Sequence, residues 1–249
     1  MRPSLATQTR IEEWYLRRFL GRLPRALLRT VTLPVGRHLK TDQNFRHENA
    51  RMLHTAMSLI SHEGVEGDYL EFGVYQGRSF VEAAHAADYW KRRTMRFLAF
   101  DSFAGLPEIG VVDINGPFSK SDYRASRSRF EATLRNHRVS PDRVTIVEGF
   151  YEDTLKQVTR TSIPVERAAV AFVDCDLYSS TVCVLKFLTD LLQDGSVLIF
   201  DDWHTFNSRP DRGEQRATSE WLERNPQLRL VPYRSFSWCG QSFIVNRDD

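Results

Sequence analysis

Apolar residues recur along this chain in two rhythms. Tyr69–Phe72, Phe97–Phe100, Val144–Val147, Ala169–Val173 and Val197–Phe200 are short, nearly continuous apolar runs. Runs of that length suit strands buried on both faces. Between and after them, Ser79–Trp90, Tyr123–His137, Tyr151–Thr159, Ser179–Leu192 and Glu214–Arg224 carry helical spacing, and the last stops at Asn225-Pro226. Leu228–Pro232 and Gln241–Val245 predict a closing hairpin joined through Ser235–Gly240. Strands alternating with helices predict an α/β, doubly wound, mostly parallel sheet. The hairpin brings the expected strand count to seven and adds an antiparallel edge.

Two helical stretches precede this region. Ile11 to about Leu28 places Ile11, Trp14, Tyr15, Leu16, Phe19 and Leu20 at helical spacing and is interrupted by Pro24. Asn44–His62 presents Met52, Leu53, Ala56, Met57, Leu59 and Ile60 as an apolar face, with Glu48 and Asn49 expected on its exposed side or, alternatively, reaching the cofactor or substrate. The expected division is a helical arm or lid over residues 1–62 and a catalytic domain over 63–249.

Composition changes this picture only in places. A chain of 249 residues with 41% hydrophobic content builds one substantial core. A formal net charge of +2 gives no reason to expect nucleic acid. The charge is uneven, however: residues 1–40 carry nine arginines and lysines against Glu12 and Glu13. A basic arm of this kind suits packing on its own domain or on a second subunit, so a homodimer or higher homo-oligomer is expected. Three cysteines without CxxC spacing predict a reducing, cytoplasmic setting and no disulfide framework. Arginines interrupt every apolar stretch near the N-terminus, which argues against a signal peptide, and no apolar run reaches membrane-spanning length.

The chemistry sits at the strand ends. Val197-Leu198-Ile199-Phe200 runs into Asp201-Asp202-Trp203, and Ala169–Val173 runs into Asp174-Cys175-Asp176. Ligands of open α/β sheets bind beyond the carboxyl ends of the strands. Converging carboxylates repel one another unless protons or a cation intervene, and a hard divalent metal is the simplest remedy. Asp176 has a plainer reading as a cap for the helix beginning near Ser179. At the other half of the sheet, Glu71-Phe72-Gly73-Val74-Tyr75-Gln76-Gly77 comes directly after the first strand. Its glycines permit a tight turn and close approach to a ligand, yet the pattern is not G-x-G-x-x-G and suits a pyrophosphate poorly. Asp101 ends the second strand, where an acid can accept both hydroxyls of a ribose or cap its own turn. Glu148-Gly149-Phe150 ends the third, and Phe150 can cover a purine or fill the core equally well. A ribose and a purine without a phosphate cradle fit S-adenosylmethionine better than NAD, with Glu71 placed to hold its cationic amino group.

Four blocks occur in order: Glu71–Gly77, Asp101-Ser102-Phe103-Ala104-Gly105-Leu106-Pro107, Asp174-Cys175-Asp176-Leu177-Tyr178-Ser179-Ser180-Thr181 and Phe200-Asp201-Asp202-Trp203. Together they resemble the macrocin O-methyltransferase family, metal-dependent sugar methyltransferases, over about residues 45–205. The resemblance implies a class I methyltransferase, Rossmann-like sheet and a Mg²⁺ ion on Asp174, Asp201 and Asp202. It also implies methylation of a sugar hydroxyl, with a glycoside or sugar nucleotide as substrate. The cofactor candidates are Glu71, Gly73, Tyr75, Gly77, Ser79, Asp101, Ser102, Gly149 and Phe150. Asp174 is the expected proton acceptor, and Tyr178 and His204 the expected substrate contacts. The loop Arg209–Arg216 is highly charged, and its arginines suit a phosphorylated or nucleotide-linked sugar unless the loop is simply solvated. The alternative is a glycosyltransferase using Asp174-Cys175-Asp176 as a D-x-D metal site, which leaves Glu71–Gly77 and Asp201-Asp202 without a role. A non-catalytic scaffold and a NAD-dependent oxidoreductase explain less still.

Overall fold

The computed structural model describes residues 47–157, 163 and 165–248. The helix expected over Ile11–Leu28 lies outside these residues. Residues 47–62 form α1, followed by β1 (Asp68–Phe72), α2 (Arg78–Tyr89), β2 (Phe97–Asp101), α3 (Arg127–Asn136), β3 (Val144–Glu148) and α4 (Tyr151–Gln157). Then come β4 (Ala168–Val173), α5 (Tyr178–Leu188), β5 (Leu192–Phe200), α6 (Gly213–Arg224), β6 (Leu228–Phe236) and β7 (Gly240–Arg247). The seven strands run in the order β3-β2-β1-β4-β5-β7-β6. The first five are parallel, and β7 joins β5 and β6 antiparallel, as the terminal hairpin predicted.

The continuous apolar runs are explained by a core on each face of the sheet. Tyr69, Phe97, Ala99, Val170, Phe172, Val197 and Ile199 point to one side, where they meet Met52, Leu53, Met57 and Ile60 of α1, Phe80 of α2 and Phe130 of α3. Leu70, Phe72, Leu98, Phe100, Ala171, Val173, Leu198 and Phe200 point to the other, against Leu155 of α4, Val184 and Leu188 of α5 and Trp221 of α6. Strand side chains alternate faces, so both halves of each run are buried. Helix α1 therefore contributes directly to the core of the sheet.

Two boundaries move. The helix expected from Tyr123 begins at Arg127, because Ser126 caps it by accepting from Arg129 N at 3.3 Å while Tyr123 has a left-handed φ of 57°. The helix expected to reach Leu192 stops at Leu188, and β5 starts at Leu192 instead. The polar stretch before Val197 is accommodated by a register shift in which Gly195 takes φ 81° and Ser196 Oγ donates to Ala168 O at 2.6 Å.

Sheet order reverses direction between β1 and β4, the topological switch point where open α/β sheets bind ligands. The loops leaving these two strands nearly touch: a Cβ on Gly73 would lie 1.8 Å from Asp174 O. Gly73 also has φ 91°, so both space and backbone demand glycine.

Candidate active site

The sheet ladder runs one residue past the strands and sets the site in register. Gly73 N donates to Phe100 O at 2.9 Å, Asp174 N to Phe72 O at 2.9 Å and Asp201 N to Val173 O at 3.0 Å. Glycine loop and acids are thereby brought to adjacent rows at the carboxyl ends of β1, β4 and β5.

On the glycine-loop side, Glu71 is fully buried. Its Oε1 accepts from Ser79 Oγ at 2.6 Å, and its Oε2 accepts from the Tyr69 hydroxyl. Burial pushes its carboxyl up to about 7, against the lowering effect of those two hydrogen bonds. Each oxygen keeps a further lone pair. Asp101 is turned onto the backbone: Oδ2 accepts from Val74 N at 2.8 Å and Tyr75 N at 2.9 Å, and Oδ1 from Phe103 N at 2.7 Å. Its first task in the fold is thus to clamp the glycine loop to the end of β2, and the turn-capping use of its carboxylate is the one formed. Ser102 Oγ donates to Gly105 O at 2.9 Å and closes the next turn. Gly77 starts α2 at φ 84°, with Phe130 where a Cβ would point, and Gly149 takes φ 134° after β3. Tyr75 is left-handed and exposed, edge-on to Tyr123 at 6.1 Å. Phe150 is half-buried, and its carbonyl accepts from Thr154 Oγ1 at 2.9 Å.

Across the switch point lies a pit of acids. Carboxylate oxygens of Asp174, Asp176 and Asp202 lie within 4.8 Å of one another. Asp174 and Asp202 are partly exposed and Asp176 is buried. Asp201 is not among the three that converge: its Oδ1 accepts from Asn49 Nδ2 of α1 at 2.9 Å. It remains close enough to be the leading charge acting on Asp174. Burial, then mutual repulsion, drives Asp174 and Asp176 well above the carboxylate range and raises Asp201 to about 8. Asp202 is raised as well, by burial, against the lowering effect of its contacts with Thr205 and Asp176. Asp202 also accepts from Thr205 Oγ1 at 2.8 Å, and its backbone N donates to Glu214 Oε2 at 3.1 Å.

No lysine or arginine among the described residues pairs with any of these four acids. Two buried acceptors beside them, Asn49 Oδ1 and Glu214 Oε1, have no hydrogen-bond partner. An all-oxygen, strongly anionic donor set with excess acceptors fits a hard divalent cation such as Mg²⁺ and suits Zn²⁺ poorly.

The remaining expected contacts are committed elsewhere. Tyr178 Oη donates to Glu220 Oε2 at 2.8 Å, with Arg216 over its ring at 5.0 Å, so its side chain fastens α5 to α6. His204 Nδ1 lies 3.0 Å from Ser208 Oγ, and its backbone N donates to Cys239 O at 2.8 Å. The charged loop is internally satisfied: Arg209 pairs with Asp211, Arg212 donates to Ile114 O, and Arg216 pairs with Glu220. Asp176 does not cap α5. Its N-cap position is Leu177, and the acceptor for Tyr178 N is Asp113 Oδ2 at 2.8 Å.

Asp113 and Glu214 have no mark in the sequence, and of the two readings of Asn49 the structure forms the inward one, toward Asp201. Asp113 lies in a Gly- and Pro-containing loop with no strand end to mark it, and Glu214 reads as an ordinary first-turn helix acid. For Asn49 the available signal was its position one turn before Met52 and Leu53 on the buried face.

This strand order, with a glycine turn after β1 and acids after β4 and β5, defines a class I methyltransferase fold. It superimposes on the O-methyltransferase NovP with a TM-score of 0.67 at 22% identity over 80% of each chain. It matches the calicheamicin methyltransferase CalS11 with a TM-score of 0.67 at 23% identity, covering 98% of this chain and 94% of that one. The chain belongs to the macrocin-O-methyltransferase (TylF) family, whose model matches residues 46–218. It is 29% identical over 147 residues to the 8-demethyl-8-(2,3-dimethoxy-alpha-L-rhamnosyl)-tetracenomycin-C 4'-O-methyltransferase of Streptomyces olivaceus, covering 57% of this chain and 54% of that protein. It is 28% identical over 151 residues to the mycinamicin III 3''-O-methyltransferase of Micromonospora griseorubida, covering 57% of each. The chain spans about half the length of these curated relatives.

Proposed function

We propose that this protein is an S-adenosylmethionine-dependent O-methyltransferase that uses a divalent cation, Mg²⁺, to methylate a hydroxyl of a sugar or glycosylated small molecule. The observation that carries this reading is the convergence of Asp174, Asp176 and Asp202, with Asp201 beside them, against the Gly73 turn without a counter-cation among the described residues. Family membership and the sugar methyltransferases among its relatives support the same chemistry. They do not favour the D-x-D glycosyltransferase alternative.

The cofactor supplies a methyl group already activated on a sulfonium. Glu71, with a lone pair left on each oxygen, offers charge to the amino group of its methionine part. Asp101 holds the Val74–Tyr75 backbone so that the Gly73–Gly77 turn keeps its close-approach shape. Gly149 and Phe150 flank the side where the nucleoside base would lie.

A divalent cation would be held by Asp174 and Asp202, with Asp201 or Asp176 as third ligand, and would lower the pKa of a chelating sugar hydroxyl. Asp174 is the proton acceptor in this reading, a general-base contribution of ~10²–10⁴-fold. Asp201 is steered by Asn49, whereas Asp176 converges with Asp174 and Asp202, so Asp201→Asn and Asp176→Asn separate the two candidates for third ligand.

The test is incubation with methyl-labelled S-adenosylmethionine, Mg²⁺ and a panel of rhamnosylated acceptors. Label should appear on a sugar oxygen, vanish in excess chelator and return with Mg²⁺. Full turnover in chelator rejects the metal role, and failure to bind S-adenosylhomocysteine in a calorimeter rejects the reading altogether.

A further inference from the structure

The loop between β2 and α3 has one buried acid, Asp113, only 2% exposed. Its carboxylate reaches two helices at once. Oδ2 accepts from Tyr178 N at 2.8 Å, the first residue of α5, and Oδ1 accepts from Gly213 N at 3.1 Å, the first residue of α6. An anion between two helix N-termini is electrostatically well placed. The chain on either side of each contact matters more.

Tyr178 comes two residues after Asp176, which has a left-handed φ of 62°. A non-glycine residue in that state persists only where its surroundings hold it. Gly213 precedes Glu214, 2% exposed, whose Oε2 accepts from Asp202 N at 3.1 Å. One carboxylate therefore anchors the turn carrying Asp176 and, through Glu214, the turn carrying Asp202. The loop has a second tie, made without Asp113: Arg212 Nη1, on the residue before Gly213, donates to Ile114 O at 2.8 Å.

We propose that Asp113 is a positioning residue that sets the spacing of the Asp174–Asp176–Asp202 cluster for its cation. This rests on the reading of that cluster as a divalent-metal site. Both Asp113 oxygens are taken up by backbone N–H groups, and the glycine loop is clamped independently by Asp101.

Mn²⁺ serves as probe, titrated into wild type, Asp113→Asn, Asp113→Ala and Arg212→Ala by electron paramagnetic resonance, with S-adenosylhomocysteine titrated separately by calorimetry. Outer-shell changes of this kind weaken metal binding ~10–100-fold. That loss is expected in both Asp113 variants, with S-adenosylhomocysteine affinity within about twofold of wild type. Asp113→Asn decides the matter if Asp113→Ala does not fold, since it keeps the side chain's shape while replacing one acceptor by a donor. Arg212→Ala should bind Mn²⁺ normally. Wild-type Mn²⁺ affinity in Asp113→Asn overturns the proposal. So does an equal loss in Arg212→Ala, which assigns the effect to loop closure, or a parallel loss of S-adenosylhomocysteine binding, which marks a merely structural role. Wild-type protein that takes up no Mn²⁺ overturns the metal reading itself.

Discussion

Glu71 makes the chain's stability depend on pH in a direction that can be worked out in advance. Burial raises its carboxyl from 4.5 to about 7 in the folded protein. An acid whose folded pKa is raised binds its proton more tightly when folded. The resulting penalty on the native state is absent below the unfolded pKa near 4.5 and grows as pH rises, becoming complete above about 7. The group is fully buried, so no solvent screening reduces the figure, and the shift corresponds to ~3 kcal/mol. The perturbation is Glu71→Gln, which keeps the size and removes the ionisation; the Tyr69 and Ser79 hydroxyls can rotate to meet the amide. Urea unfolding of both proteins at pH 5, 6, 7 and 8 in chelator reads this group together with the relief its removal gives Asp174 and Asp201, which its charge also raises and which adds in the same direction. Relative to wild type, Glu71→Gln should gain ~3 kcal/mol in stability between pH 5 and 8. Saturating S-adenosylmethionine should shrink that gain, since its ammonium stabilises the ionised form. A stability difference that stays flat across this range refutes the reasoning.

Three further outcomes are expected from the geometry. Gly73→Ala places a methyl against Asp174 O in a left-handed backbone and should lower stability by at least ~2 kcal/mol, read as an earlier urea midpoint; an unchanged midpoint refutes the close crossing. Asp101→Ala strips the acceptor from three backbone N–H groups and should weaken S-adenosylhomocysteine binding at least ~10-fold while Mn²⁺ affinity holds; equal loss of both would show that the halves are not separately built. Mn²⁺ at 100 times its dissociation constant should stabilise the wild type by ~2.7 kcal/mol, and binding should strengthen from pH 6 to pH 8 as protons leave the acids; metal affinity independent of pH would contradict the upward shift of Asp174, Asp176 and Asp201.

The sheet was legible because parallel strands covered on both faces print themselves as nearly unbroken apolar runs, and the acids were legible because four of the five runs are followed directly by one, while Glu71 interrupts the first. Leu192–Ser196 was harder, since a bulge with Gly195 lets polar residues sit inside a strand. The supports of the site were not legible. Asp113 finds partners at Tyr178 and Gly213, and Asn49 reaches Asp201, across stretches of chain over which local spacing carries no information. Asp176 was read as a cap because it precedes a helix, and that role belongs to a distant residue of the same kind. Tyr178 and His204 were placed near the chemistry by sequence adjacency alone, and their side chains turn to Glu220 and Ser208.

The narrow crossing of Gly73 over Asp174 also constrains how such a protein can change. With no room there for even a methyl group, position 73 is closed to any side chain, while the Asp101 clamp on one side and the acids on the other keep their own separate hydrogen bonds. Change that spares this crossing is left to segments outside it, such as the long loop between β2 and α3, whose Asp113 ties into the starts of α5 and α6.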